Sequence, residues 1–343
     1  MRILITGGAG LIGSQSAEYF AALGNKVIVL DNLLRTKLLS MPHKSIEHNW
    51  RYLKKIKNVK CIEGDVRNVS DVVKAIGKGV DVVIHAAGQP SVFSSADILK
   101  EDFDINARGT VTVLECLKRK SPKAAFIYCS TDKIYGYDKE KKSAKKIKSN
   151  NQKKYTVTDN TQIKIPGLSA YAASKLTGDV YTQYFHHNFK MRTAVFRMGC
   201  IYGPRQFGIE SQGWVGWFVE AHLRGKLITL YGDGSQIRDI LYVSDVVRAF
   251  DAFIKSKFEH KVYNIGGGSA NSLSLNECLS ILKMETKRVP IVRIAPFRDN
   301  DQMTCIMDTR RVCRELKWKP KVNPQTGIRN VIKWVESNKT FFK

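Results

Sequence analysis

The sequence predicts a doubly wound α/β protein, a parallel sheet of about seven strands with a smaller C-terminal lobe, and three observations carry that prediction. Short β-branched runs alternate with longer helical stretches. A glycine-rich turn joins the first run to the first helical stretch. Beyond about Met198 the alternation loosens into aromatic and glycine-rich loops such as Gln212 to Phe218. Alternation at this spacing implies βαβ units, and strands that are apolar throughout imply a sheet covered on both faces.

The strand runs, in order, are Arg2 to Ile5, Lys26 to Leu30, Val59 to Ile62, Val80 to His85, Ala125 to Cys129, Thr193 to Arg197 and Val262 to Ile265. Between the first two lies GGAGLIG, in which Gly8, Gly10 and Gly13 satisfy G-x-G-x-x-G, and Gly7, Gly10 and Gly13 satisfy G-x-x-G-x-x-G. Without side chains the backbone can approach a pyrophosphate at the helix N-terminus, where unsatisfied N–H groups and the dipole favour anions. The second run ends in Asp31, 24 residues after Gly7, placed to accept from the ribose hydroxyls of a dinucleotide. A carboxylate there repels a 2′-phosphate, which favours NAD over NADP.

Later segments carry the chemistry. Ser130-Thr131 closes the fifth run, and Tyr171-Ala172-Ala173-Ser174-Lys175 opens the next helical stretch. Positions i and i+4 share one helix face, so Lys175 is expected beside Tyr171, its ammonium favouring the phenolate. A phenol of reference pKa near 10 needs such help to act as a base near neutral pH. Thr131, Tyr171 and Lys175 are therefore the candidate catalytic residues.

Composition excludes other classes. The seven cysteines stand singly, with no C-x-x-C pair, which argues against a zinc site and a disulfide framework; no metal is expected. Met1 runs straight into a strand without a signal pattern, and no apolar run reaches membrane-spanning length. The expectation is a cytoplasmic protein without membrane insertion. Net charge is +25, from 56 Lys and Arg against 31 Asp and Glu. Part of it sits in Lys139 to Lys154, which holds eight lysines and almost nothing apolar, the pattern of a solvated insertion. The charge is the only support for the rival from another class, a basic nucleic-acid-binding protein, and lysine without interleaved aromatics is a poor nucleic-acid signature.

With the glycine loop, Asp31, Thr131 and Tyr171/Lys175 in place, the whole chain resembles the extended short-chain dehydrogenase/reductases, the nucleotide-sugar epimerases and dehydratases. The resemblance implies a Rossmann dinucleotide-binding domain (1–197 plus 236–266), a nucleotide-sugar-binding domain (198–235 plus 267–343), a tightly held NAD and a homodimer or homotetramer. NAD contacts would come from Gly7, Gly10, Leu11, Ile12 and Gly13 of the loop, from Asp31 and Asn32, and from Asp65 and Val66. Ala86, Ala87, Gln89, Asn106 and Lys175 would complete them. Tyr231 to Asp245 matches the family's G-x-G-x-Q-x-R-D…V-x-D pattern. Gln89, Gln206, Trp214, Arg238 and Asp301 would hold the CDP- or UDP-linked sugar.

Gly88-Gln89, Lys133, Arg205-Gln206-Phe207 and the aromatic loop resemble one branch, the CDP-paratose 2-epimerases. Tyr171 would deprotonate a sugar hydroxyl while hydride moves to NAD, and the keto sugar would turn over and take the hydride back at carbon 2. A UDP-hexose 4-epimerase is the alternative, sharing every catalytic residue. Asp132 stands where the branch usually has asparagine, and Met198-Gly199-Cys200 replaces its polar residues. Asp132 echoes the 4,6-dehydratases, but Lys133 takes the place of their glutamate base, which disfavours dehydration.

Overall fold

The computed structural model describes residues 1–38, 45–89, 98–136, 156–158, 160–298 and 303–342. Seven strands form the main sheet: β1 Arg2–Thr6, β2 Lys26–Asp31, β3 Val59–Glu63, β4 Val82–His85, β5 Ala125–Thr131, β6 Thr193–Met198 and β7 His260–Ile265. All pairs are parallel, in the order β3-β2-β1-β4-β5-β6-β7. Chain direction across the sheet reverses between β1 and β4, and the crevice at the carboxyl ends of those strands is where open α/β sheets bind ligands. The start of β4 is two residues later than the sequence pattern suggests, because the Val80 N–H donates to the Ser121 hydroxyl at 3.0 Å before the ladder begins.

Period-two patterning splits the apolar side chains between two layers. Ile3, Ile5, Val27 and Val29 pack with Phe20, Phe250 and Phe253 on one face. Leu4, Ile28, Leu30 and Val83 pack with Val72, Leu114 and Leu117 on the other. Both faces are dry, which is why the strands read as continuous apolar runs. Leu11–Ala22 and Val243–Lys255 supply the first layer, Val69–Ile76 and Gly109–Lys120 the second.

The smaller lobe is built around a second sheet ordered Ser272–Ser274, Ile237–Tyr242, Thr304–Met307, Thr156–Val157, with Cys200–Tyr202 also paired to Ile237–Tyr242. The division read from the sequence puts 236–266 with the dinucleotide-binding domain; the strand Ile237–Tyr242 instead hydrogen-bonds within the second sheet. The helix Val243–Lys255 then returns to the main sheet. A second departure concerns the aromatic stretch. Trp214 to Phe218 is not a loop but the opening of the helix Trp214–Leu223, whose Phe218 belongs to the lobe's own core with Phe207, Val219 and Ile332. Among the described residues no helix is long and apolar enough to cross a membrane. The lysine-rich stretch Lys139 to Lys154 and the candidate Asp301 lie outside the described residues.

Candidate active site

The glycine loop lies at the centre of the cleft between the lobes, and its geometry is specific to glycine at two positions. Gly7 has φ +66°, and a Cβ there would meet the Ala87 nitrogen at 2.5 Å. A Cβ on Gly13 would meet the Gly7 carbonyl oxygen at 2.3 Å, so the helix could not close onto the loop. The close approach of Ala86 and Ala87 at the end of β4 leaves a narrow floor with the first turn of Leu11–Ala22 above it.

Asp31 ends β2 beside this loop. Its Oδ2 accepts from the Ala9 N–H at 2.9 Å and its Oδ1 from the Leu33 N–H at 2.8 Å. Burial raises the carboxyl's pKa, and these two backbone donors oppose it. Each oxygen keeps a lone pair, as acceptance from ribose hydroxyls requires. Asn32 also lines the cleft, and its Nδ2 donates to Asp65 Oδ2 at 2.9 Å. Asp65 does not line the cleft itself: it is gripped by Arg67 (2.9 and 2.6 Å), and although burial favours protonation, these donors push it down to about 2.

Gly7, Gly10, Leu11, Ile12, Gly13, Asp31, Asn32, Val66, Ala86, Ala87 and Gln89 all face the same cleft as Thr131, Tyr171, Lys175 and Gln206. Residues more than 100 positions apart are thus gathered at one place. The helix Ala170–Phe189 carries Tyr171 and Lys175 and starts where Ser169 Oγ accepts from the Ala172 N–H at 3.2 Å. Farther along it, the buried Asp179 accepts from Arg197 Nε of β6 at 3.0 Å and from Ser130 Oγ of β5 at 2.9 Å. Those contacts hold the helix against the strand that ends in Thr131.

Burial pushes the Tyr171 phenol up to about 12, against a hydrogen bond with Thr131. Burial pushes the Lys175 ammonium down to about 8. Lys175 Nζ sits 4.4 Å from the Tyr128 ring centroid, a cation–π contact. Beside it, a Cβ on Gly88 would meet the Asn106 Oδ1 at 2.9 Å, so glycine there lets that amide sit close. Thr131 Oγ1 donates to Asp132 Oδ1 at 3.1 Å, and Asp132 Oδ2 accepts from Lys133 Nζ at 2.8 Å and from Cys305 Sγ at 3.1 Å. Lys133 is therefore the partner of Asp132, and Asp132 is held below the ordinary carboxylate range despite its burial.

Four sequence candidates stand away from the cleft. Asn106 lies behind it in a π-helical stretch, Phe103–Arg108, where its Oδ1 accepts from the Gln89 N–H at 2.9 Å and its Nδ2 donates to Ser174 Oγ at 3.0 Å. It ties Gln89 to the helix Ala170–Phe189. Trp214 turns into the small lobe, edge-on to Phe218 at 5.4 Å. Arg238 is buried in the second sheet, with Nη1 donating to the Ile237 carbonyl at 2.9 Å. Asp65 is the fourth. Conversely, Arg35, Gln212, Cys129, Met198 and Gly199 line the cleft and were not singled out as site residues. Arg35 follows Asp31 by four residues across a short loop, and that nearness is the signal that could have found it.

A family model described as the NAD dependent epimerase/dehydratase family matches residues 3–266. The chain belongs to that family. It is accordingly an NAD-dependent enzyme, and the side-chain-free floor at Gly7 and the Asp31 carboxylate suit a dinucleotide. It is 32% identical to the CDP-paratose 2-epimerase of Salmonella typhi over 98% of this chain and 100% of that one. A putative UDP-glucose 4-epimerase of Methanocaldococcus jannaschii is 28% identical over 98% of this chain and 99% of its own. Among solved structures, the UDP-glucose 4-epimerase of Thermotoga maritima with UDP-glucose aligns with a TM-score of 0.81 at 28% identity, covering 99% of this chain and 100% of that one. That of Thermus thermophilus, in complex with NAD, aligns at 0.79 and 29%, covering 98% and 99%.

Proposed function

We propose that this enzyme inverts one carbon of a nucleotide-linked sugar, and that the sugar is a CDP-linked 3,6-dideoxyhexose epimerised at carbon 2. The observation that carries the finer reading is the 32% identity to a CDP-paratose 2-epimerase along the full length of both chains. The Asp132–Lys133 pair supports epimerisation over dehydration. A dehydratase needs one group to protonate the leaving hydroxyl and another to take the carbon-bound proton. Here the carboxylate beside Thr131 is engaged by Thr131, Lys133 and Cys305.

NAD, when bound, supplies the hydride acceptor and donor. The chain's own residues do the rest. Tyr171 and Thr131 meet the reacting hydroxyl together, Thr131 to orient the oxygen and Tyr171, as a phenolate that a nearby cation must favour against the burial that raises its pKa, to take the proton. Lys175 sits one turn further along the same helix, within the same cleft. Gln206, buried with an Oε1 that meets no donor among the described residues, offers an acceptor to the sugar side of the cleft. A homodimer also belongs to this reading: Phe103, Val180, Tyr181 and Tyr184 are exposed, the last three on the catalytic helix, an apolar surface suited to a second copy. Sedimentation as a monomer at micromolar concentration would remove that part.

The test of the substrate is product analysis by NMR with CDP-paratose and UDP-glucose. Inversion of CDP-paratose at carbon 2 is expected, far faster than any change in UDP-glucose. Efficient inversion of UDP-glucose at carbon 4 with CDP-paratose untouched would refute the assignment.

A further inference from the structure

The segment Pro204 to Gln212 leaves the small lobe and is fastened to the dinucleotide-binding lobe by Asn49, whose Nδ2 donates to the Arg205 carbonyl at 3.2 Å, and at two further places. At the first, Arg205 Nε donates to Ser14 Oγ at 3.2 Å, and its Nη2 donates to Gln15 Oε1 at 3.2 Å and Glu18 Oε2 at 2.7 Å, all on the helix that opens at the glycine loop. At the second, Arg35 Nη2 donates to the Phe207 carbonyl at 3.2 Å and to Gln212 Oε1 at 2.6 Å. At both of these fastenings the backbone is strained: Arg205 and Phe207 are left-handed, with φ +68° and +41°. Such conformations in bulky residues persist where the surroundings over-determine them.

Arg35 and Gln212 both line the cleft, at the end where Asp31 stands. An arginine close after that aspartate is chemically suited to a cofactor phosphate. Here its guanidinium is committed across the gap to the other lobe. The backbone under Gln212 is independently fixed, since Ile209 and Gln212 exchange N–H···O bonds of 2.9 and 3.0 Å. The side chain is thus presented on a rigid turn.

We propose that Arg35 and Gln212 form a latch across the Asp31 end of the cleft that sets how long the cofactor stays bound. The inter-lobe bridge must open for the cofactor to leave, so breaking it at either end accelerates release. Arg35 and Gln212 are positioning residues in this account, acting through one another. The proposal rests on the cofactor occupying this cleft.

The test is the dissociation rate of NADH from the full chain, followed by its fluorescence after mixing with excess NAD. Arg35→Ala and Gln212→Ala should each speed release at least fivefold, Arg35→Ala the more because it also loses the Phe207 carbonyl, and the double variant should release no more than twice as fast as Arg35→Ala, because the Arg35–Gln212 bond is lost in every one of them. Gln212→Glu keeps an acceptor and adds charge, so its rate should stay within twofold of wild type or fall below it. Gln212→Ala decides the case alone should Arg35→Ala not fold. A single variant under fivefold, or a double variant equal to the product of the singles, overturns the latch. A wild-type chain that binds no NADH overturns the cofactor assignment together with it.

Discussion

Asn106 Nδ2 and Ser174 Oγ are 3.0 Å apart across 68 residues of chain, and the same Asn106 accepts from the Gln89 N–H at 2.9 Å. One buried amide therefore ties the end of β4 to the helix of Tyr171 and Lys175. A π-helical turn widens the helix locally at Asn106, a feature found often at functional sites. Asn106→Ala should leave the Gln89 N–H without its acceptor, at about 1–3 kcal/mol of stability. Thermal unfolding of the cofactor-free chain checks the stability loss, and a fall in kcat greater than the rise in KM is expected if positioning is what is lost.

Tyr171→Phe removes the hydroxyl and leaves the ring in the cleft. Turnover should drop by at least about 10²-fold, the usual contribution of a positioned acid–base group, while NADH binding stays within a few-fold of wild type. Near-normal turnover would remove Tyr171 from the mechanism.

Lys175 supplies a pH signature. Its folded pKa is about 8 against 10.5 for an unhindered lysine, so below pH 8 the chain carries a buried ammonium that favours unfolding. That penalty is full below about pH 8, shrinks as pH rises between 8 and 10.5, and is gone above 10.5, because there the lysine is neutral in both states. Its size is on the order of a few kcal/mol. Lys175→Met should therefore raise the unfolding midpoint of the cofactor-free chain at pH 7, with the gain fading above pH 9, even as it abolishes turnover. A gain that does not change between pH 7 and 10 contradicts the burial argument.

Asp31 should confer preference for NAD over NADP, since a 2′-phosphate would meet a carboxylate whose two oxygens already face backbone donors at 2.9 and 2.8 Å. The dissociation constant for NADPH is expected to exceed that for NADH by at least tenfold. Asp31→Asn should narrow the ratio by relieving the repulsion. Recovery of NADP, not NAD, from the denatured protein would be the opposite result.

Much of the molecule was legible because it is local. β-branched runs between helical stretches mark the strands of a parallel sheet buried on both faces, and all seven appear within a residue or two of where the pattern puts them. The glycine loop was equally legible: Gly7 and Gly13 are required by backbone crowding that no other residue relieves, and Asp31 is fixed to them by one strand–turn–helix unit. Residue type and spacing also picked out Thr131, Tyr171 and Lys175, which the fold brings to one cleft. What spacing could not supply is how a side chain is shared between distant elements. The small lobe decided that Trp214 and Phe218 serve its own core, because a helix starting at Trp214 turns them inward. The main sheet decided that Asn106 stands behind the cleft, and Arg67 decided that Asp65 is occupied. Arg35 is the clearest case, since its partners Phe207 and Gln212 lie more than 170 residues away. A hydrogen bond forms within about 3 Å, and the chain distance between its ends leaves no periodic trace in the sequence.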